Sequence, residues 1–228
     1  MSTSTRVTQF WREWRFFFAV VLLLVLFRTA IADWYVVPTG SMKPTILEGD
    51  RIFVNKLAYN IRVPFTEIEL SSWDAPEYGD IVVFLSPKDE TRLIKRVVGL
   101  PGDQITIKQN HLLINDQPVP FEKSALKLEE NIWSAGIRRE LYNEQIGSHQ
   151  YDIALSPFKS PLNDFGPVTV PENHFFMLGD NRDNSADSRI IGFVERSRIL
   201  GRASHVIVSL NYGNYYLPRK DRTLVELP

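Results

Sequence analysis

Apolar residues are distributed in two different ways along the chain. Phe16 to Phe27 (FFFAVVLLLVLF) form an unbroken run of twelve, followed by Arg28 and the mostly apolar Thr29 to Ala32, and no run of that length recurs. Twelve residues alone suit the apolar part of a cleavable leader. An arginine near a helix end, however, can reach the headgroups with its guanidinium and so extend the usable span. Trp11 and Trp14 precede the run and Trp34 and Tyr35 follow it. A helix from Trp14 to Trp34 is about 30 Å long, the thickness of the hydrocarbon layer, with aromatic residues at both interfaces. The pattern predicts a transmembrane helix over 16–32. Ala30-Ile31-Ala32 before Asp33 has the small-x-small form of a leader cleavage site and supports the competing reading. Arg6, Arg12 and Arg15 place 1–15 in the cytoplasm in either case, and 33–228 across the membrane.

Beyond residue 33 the pattern becomes short and interrupted. Arg51 to Lys56, Asp80 to Leu85, Leu93 to Val98, Gln104 to Ile107, His111 to Ile114 and Val206 to Leu210 are rich in Val, Ile and Phe and bounded by Gly, Pro, Asp or Asn. These are strand signals, and the fold class they predict is mainly β. Asn115-Asp116 inside HLLINDQPV predicts a hairpin turn. From Phe121 to Gly166 the chain is irregular and polar, and only Lys123 to Glu130 looks helical. The expected organisation is a core over about 34–104 and 167–210, with a small inserted lobe over about 105–166. Residues 211–228 mix Tyr, Pro and charge and receive no role.

Composition narrows the chemistry. Lys and Arg number 26 against 27 Asp and Glu, so no basic field exists to dominate an encounter with nucleic acid. The absence of cysteine removes disulfides, thiolate metal sites and cysteine nucleophiles. The four histidines stand apart from one another, without metal-ligand spacing.

Four segments combine residue types that an ordinary β domain has no need to combine. In Pro38-Thr39-Gly40-Ser41-Met42-Lys43-Pro44-Thr45 a serine sits between glycine and flanking prolines. Such a backbone has few conformations and admits another chain closely, which suits a nucleophile and would equally suit a juxtamembrane turn. In KRVVGLPGD (95–103) a basic pair interrupts an apolar strand, and alternation turns one of Lys95 and Arg96 inward. An inward lysine loses preference for its charged form and can accept a proton near neutral pH; an edge strand with solubilising charges is the alternative. GDNRDNSADSR (179–189) is dense in charged, amide and hydroxyl side chains, which reads as a solvated loop or a calcium loop, although its spacing does not fit an EF-hand; a hydrogen-bonded network that orients catalytic groups is the alternative. GDRIFVNK (49–56) reads as a turn and a strand.

In this order, SMKPT at 41–45, GDRIFVNK, KRVVGLPGD and GDNRDNSADSR with Gly192-Phe193-Val194 resemble the signature boxes of the type I signal peptidases. Lys95, where endoplasmic-reticulum relatives have histidine, points to the bacterial or organellar branch. The resemblance implies a β catalytic core with an inserted β lobe. It makes Ser41 the nucleophile and Lys95 the general base, with Ser185 orienting the amine and Asp187 and Arg189 forming a supporting charged pair. Thr39 would join the Ser41 N–H as the oxyanion hole. Val37, Met42, Ile52 and Ile94, also favoured by alternation, would line shallow pockets for small residues. The implied partners are signal peptides of secreted preproteins and membrane lipid, at the bacterial inner membrane, with no cofactor or metal. The family's frequent second amino-terminal span and its disulfide have no counterpart here. A dedicated pilin-type processing enzyme and an inactive membrane-anchored scaffold are the rival functions.

Overall fold

A computed structural model describes residues 3–63, 66, 68–126, 133 and 139–228, without the side chains of 3–9, 26 and 27. One long helix, α1 (Thr3–Ala30), opens the chain. It begins well before the expected span over 16–32 and ends short of it, because Ala32 already pairs with Asn55 as the first residue of a strand. Among the described residues no helix is long and apolar enough to cross a membrane. Arg12, Glu13, Arg15 and Arg28 all fall within α1 and bracket its apolar middle, whose last positions, 26 and 27, lie outside the described side chains. Among the described residues that middle packs against no other element: Phe16 is 78% and Leu23 67% exposed.

Strands follow in close succession: β1 (Ala32–Val36), β2 (Asp50–Asn55), β3 (Asn60–Arg62), β4 (Glu69–Ser72), β5 (Ile81–Leu85), β6 (Arg92–Gly99), β7 (Gln104–Lys108), β8 (His111–Ile114) and β9 (Gln117–Pro118). The expected turn lies between the last two, with Asn115 and Asp116 both at positive φ, the geometry for which short polar side chains are favoured. Next come β10 (Phe121–Lys123), β11 (Glu140–Ile146), β12 (His149–Leu155), β13 (Phe165–Thr169) and β14 (His174–Leu178). The chain closes with the short helix α2 (Ser188–Ile191), β15 (Val194–Glu195), β16 (Ile199–Asn211), β17 (Leu217–Pro218) and β18 (Val225–Glu226). The stretch read as irregular therefore contains an ordered antiparallel sheet, β10-β11-β12. Its strands are polar enough to hide the β pattern. Of the run expected to be helical, Lys123 closes β10 and 127–130 lie outside the described residues.

The main sheet runs β1-β2-β16-β5-β6-β14-β15, all antiparallel, with β17 and β18 added along β16. A second sheet, β13-β7-β8-β9, joins the insertion to the core. β5 is buried on both faces, so its apolar run is continuous: Ile81 and Val83 enter one cluster with Met42 and Ile52, while Val82 and Phe84 enter another with Val97 and Met177. β6 lies between β5 and β14 and inherits cover from both. This central position buries β6 from Lys95 to Gly99, charged residues included, while Arg92 at its start stays exposed.

Candidate active site

Three chain segments converge on the middle of β6. Lys95 stands opposite Val82 on β5, and Arg96 stands opposite both Ile81 on β5 and Leu178 at the end of β14. The end of β14 thus delivers Gly179 to Arg189 directly beside the basic pair. The third segment is the turn Ser41 to Ile46, closed by hydrogen bonds from Lys43 N to the Gly40 carbonyl and from Ile46 N to the Met42 carbonyl. Met42 and Ile46, both fully buried, pin this turn to the core. Asn181 holds it from above, donating its backbone N–H to the Ser41 carbonyl at 3.0 Å and its side-chain amide to the Gly40 carbonyl at 2.9 Å. Gly179 is required for this approach: a Cβ there would lie 2.2 Å from Ser185 Oγ and 2.5 Å from the Ser41 carbonyl oxygen.

The convergence sets Lys95 Nζ 2.7 Å from Ser41 Oγ, with a second bond from Nζ to the Ile94 carbonyl at 2.8 Å. Ser41 is 8% and Lys95 2% exposed. Desolvation lowers the Lys95 pKa to about 8, against the opposing pull of Asp187 and Asp180. Neither carboxylate is hydrogen-bonded to the amine; each is occupied by an arginine. Asp187 accepts from Arg189 Nε at 2.9 Å and Nη2 at 2.8 Å, and it also receives the Gly179 N–H. Asp180 accepts from Arg96 Nε at 3.0 Å and Nη2 at 2.9 Å.

Alternation required one residue of the basic pair to face inward, and the structure buries both, with Arg96 at 0% exposure. The outward face of β6 at this point is covered by the inserted sheet: the Arg96 guanidinium lies 3.8 Å from the Tyr151 ring centroid, and its Nη1 donates to the Gly79 carbonyl. Tyr151 donates to Glu144, which pairs with Arg182 of the 179–189 segment. Asp180 also accepts the Thr45 hydroxyl. Thr45, Glu144, Asp180, Asn181 and Arg182 had no individual place in the sequence reading. The polar density of 179–189 was the only available signal, and it did not say which partner each residue meets.

The remaining candidates fall in three places. Val37, Met42 and Ile52 are buried in one cluster, and Ile94 packs against it half-buried. Thr39 is exposed beside the turn, and among the described residues the Ser41 N–H finds no acceptor. Ser185 is buried next to Gly179 and the Ser41 carbonyl, but its hydroxyl makes no hydrogen bond among the described residues, so it does not hold the amine in this geometry. No group of three or more His, Cys, Asp or Glu able to hold a metal occurs among the described residues.

Comparison with known proteins gives the same answer as the boxes. The family model described as signal peptidase, peptidase S26, matches residues 11–208. A signal peptidase I of Pseudomonas fluorescens is 36% identical over 205 residues, covering 85% of this chain and 70% of that protein. One from Rickettsia bellii is 35% identical over 216 residues, covering 86% and 72%. Among solved structures, a signal peptidase I of Enterococcus faecalis is 28% identical, covers 57% of this chain and 98% of its own, and has a TM-score of 0.35. With a family match that spans all four boxes and relatives aligned over most of both chains, this chain belongs to the signal peptidase family, peptidase S26.

Proposed function

We propose that this type I signal peptidase cleaves exported preproteins after small-x-small sites with Ser41 as nucleophile and Lys95 as general base. The observation that carries the reading is the buried 2.7 Å contact between Lys95 Nζ and Ser41 Oγ, made by an amine whose pKa is lowered to about 8. A neutral Lys95 takes the Ser41 proton as Oγ attacks the scissile carbonyl, and the ammonium then returns that proton to the departing amine. Water, deprotonated by the same amine, hydrolyses the acyl-enzyme. The unoccupied Ser41 N–H and the Thr39 hydroxyl are the donors for the tetrahedral oxyanion, each worth roughly 3–4 kcal/mol of transition-state stabilisation. Ser185 supplies a buried hydroxyl within the dyad's surroundings to orient the amine when substrate is bound. Ile94, half-buried against the cluster of Val37, Met42 and Ile52, would supply with them the apolar lining that accepts small residues.

Membrane attachment is part of the same proposal. α1 is apolar around its middle, and its described side chains from Phe10 to Val25 are all exposed, the condition of a helix solvated by lipid. Its end is tied to the catalytic domain, since Lys56 Nζ donates to the carbonyls of Arg28 and Thr29 and pairs with Asp33. The enzyme would lie at the bacterial inner membrane, with residues 1–15 cytoplasmic and the sheets on the outer face. The test is cleavage of a preprotein by detergent-solubilised enzyme: Ser41→Ala and Lys95→Ala each abolish it with the fold intact, and near-normal turnover in either variant overturns the assignment.

A further inference from the structure

The last strands contribute nothing to the dyad, yet they lie across the loop that carries its nucleophile. After β16 the chain turns back and pairs with it twice, at Leu217–Pro218 and at Val225–Glu226. Between these pairings Arg222 reaches the loop that follows Ser41. Its Nη2 donates to the Thr45 carbonyl at 2.9 Å and to Asp50 Oδ2 at 2.7 Å. The same Asp50 oxygen accepts the Leu47 N–H at 2.8 Å. Arg219 grips the loop one step further on, donating to the Glu48 carbonyl at 3.1 Å while holding Ser209 Oγ. At the other end of the segment, Leu227 packs on the cluster containing Met42 and Ile46, and the Pro228 backbone oxygen accepts from Arg96 Nη1 at 3.1 Å.

We propose that residues 219–228 form a strap that positions the Ser41 turn, with Arg222 as its positioning residue. This rests on Ser41 being the nucleophile. Thr45 is four residues past Ser41, and the turn between them is closed by the bond from Ile46 N to the Met42 carbonyl. The place of Ser41 Oγ relative to Lys95 Nζ therefore depends on where 45–50 is held. Asp50 has no exposed surface, and Arg222 is the one cation paired with it among the described residues. A buried carboxylate stripped of its cation rearranges its surroundings, and those surroundings are the Thr45–Leu47 backbone. Displacing a reacting atom by about 1 Å costs on the order of a hundredfold in rate.

The experiment compares full-length wild type, Arg222→Ala, Arg222→Lys and Ser41→Ala on one preprotein in detergent. Arg222→Ala lowers kcat by about tenfold or more with KM within about twofold, because the defect lies in the nucleophile and not in substrate binding. The acidic limb of its kcat/KM profile stays where wild type has it, since Asp180 keeps both bonds from Arg96 and Asp187 keeps both from Arg189. Arg222→Lys, or guanidinium ion added to Arg222→Ala, restores part of kcat. Unchanged kcat in Arg222→Ala overturns the proposal, as does a fall in kcat accompanied by a displaced acidic limb. Should Arg222→Ala fail to fold, Arg222→Lys decides: a reduced kcat at wild-type KM supports the strap and a wild-type kcat overturns it. Activity in Ser41→Ala would overturn the nucleophile reading itself, whatever the Arg222 variants do.

Discussion

Lys95 and Arg96 are neighbours on β6 and equally hidden from water, but their surroundings are opposite. Arg96 meets a carboxylate with two of its nitrogens, a carbonyl with the third and an aromatic ring with its face. Desolvation opposes its charge, but the attraction and hydrogen bonds of Asp180, together with Tyr151, offset that cost, and its pKa rises. Lys95 meets a hydroxyl and a carbonyl and no carboxylate, so desolvation prevails and its pKa falls to about 8. Burial alone does not make a base. What makes one is burial with the counterion withheld, and here the two nearby carboxylates are withheld by being given to Arg96 and Arg189.

Erasing the difference between the two cations should have the largest effect. Lys95→Arg keeps a buried cation but one that stays protonated at any working pH, and preprotein cleavage should fall by about three orders of magnitude or more. Cleavage within tenfold of wild type would mean that the amine is not the base. Removing the partner from the other side comes next. Arg96→Met leaves Asp180 buried without its cation and should destabilise the protein by about 3–5 kcal/mol in urea denaturation. In the fraction that folds, the freed carboxylate favours the Lys95 ammonium, so the acidic limb of kcat/KM moves to higher pH. The smallest effect is expected from Glu144→Gln. It weakens the pairing with Arg182 but leaves Asp180 and Asp187 engaged, so about 1–3 kcal/mol of stability is lost while the pH profile stays in place. A displaced profile in that variant would show that the Lys95 environment reaches further than its two nearest carboxylates.

The parts of this arrangement that were legible in the sequence are those written in consecutive residues. The segments around Ser41 and Lys95 stood out because glycine, prolines and a basic pair in an apolar strand are local anomalies, but the choice of Ser41 as nucleophile and of Lys95 over Arg96 came from the resemblance of the ordered boxes; β5 and β6 were legible because Val and Ile dominate them. The ion pairs that isolate Lys95 from charge were not legible. Arg96 and Asp180 are 84 residues apart and Arg182 and Glu144 are 38 apart, and no local spacing announces such partners. The sheet β10-β11-β12 was hidden for a related reason: Glu144 and Tyr151 are buried polar positions that make sense only once Arg182 is opposite them. The apolar run announced only the middle of α1; the helix reaches back to Thr3 and carries Arg12, Glu13 and Arg15, which the apolar pattern does not mark. Residues 219–228 had no pattern at all; their partners are backbone carbonyls and side chains far off in sequence, Asp50 lying 172 residues before Arg222, and such partners leave no local mark.

The central claim is that Lys95, unpaired and desolvated, takes the proton from Ser41. The chain contains no cysteine, so Lys95→Cys can be alkylated selectively to give thialysine, an amine of the same reach and lower basicity. The decisive measurement is kcat/KM for preprotein cleavage against pH, for wild type and for this thialysine enzyme. Because the neutral amine is the active form, activity should rise with pH through a limb near 8 in wild type, and that limb should move to lower pH in the thialysine enzyme. Limbs that coincide in the two enzymes would contradict the account, since the proton would then be leaving Ser41 for some other group.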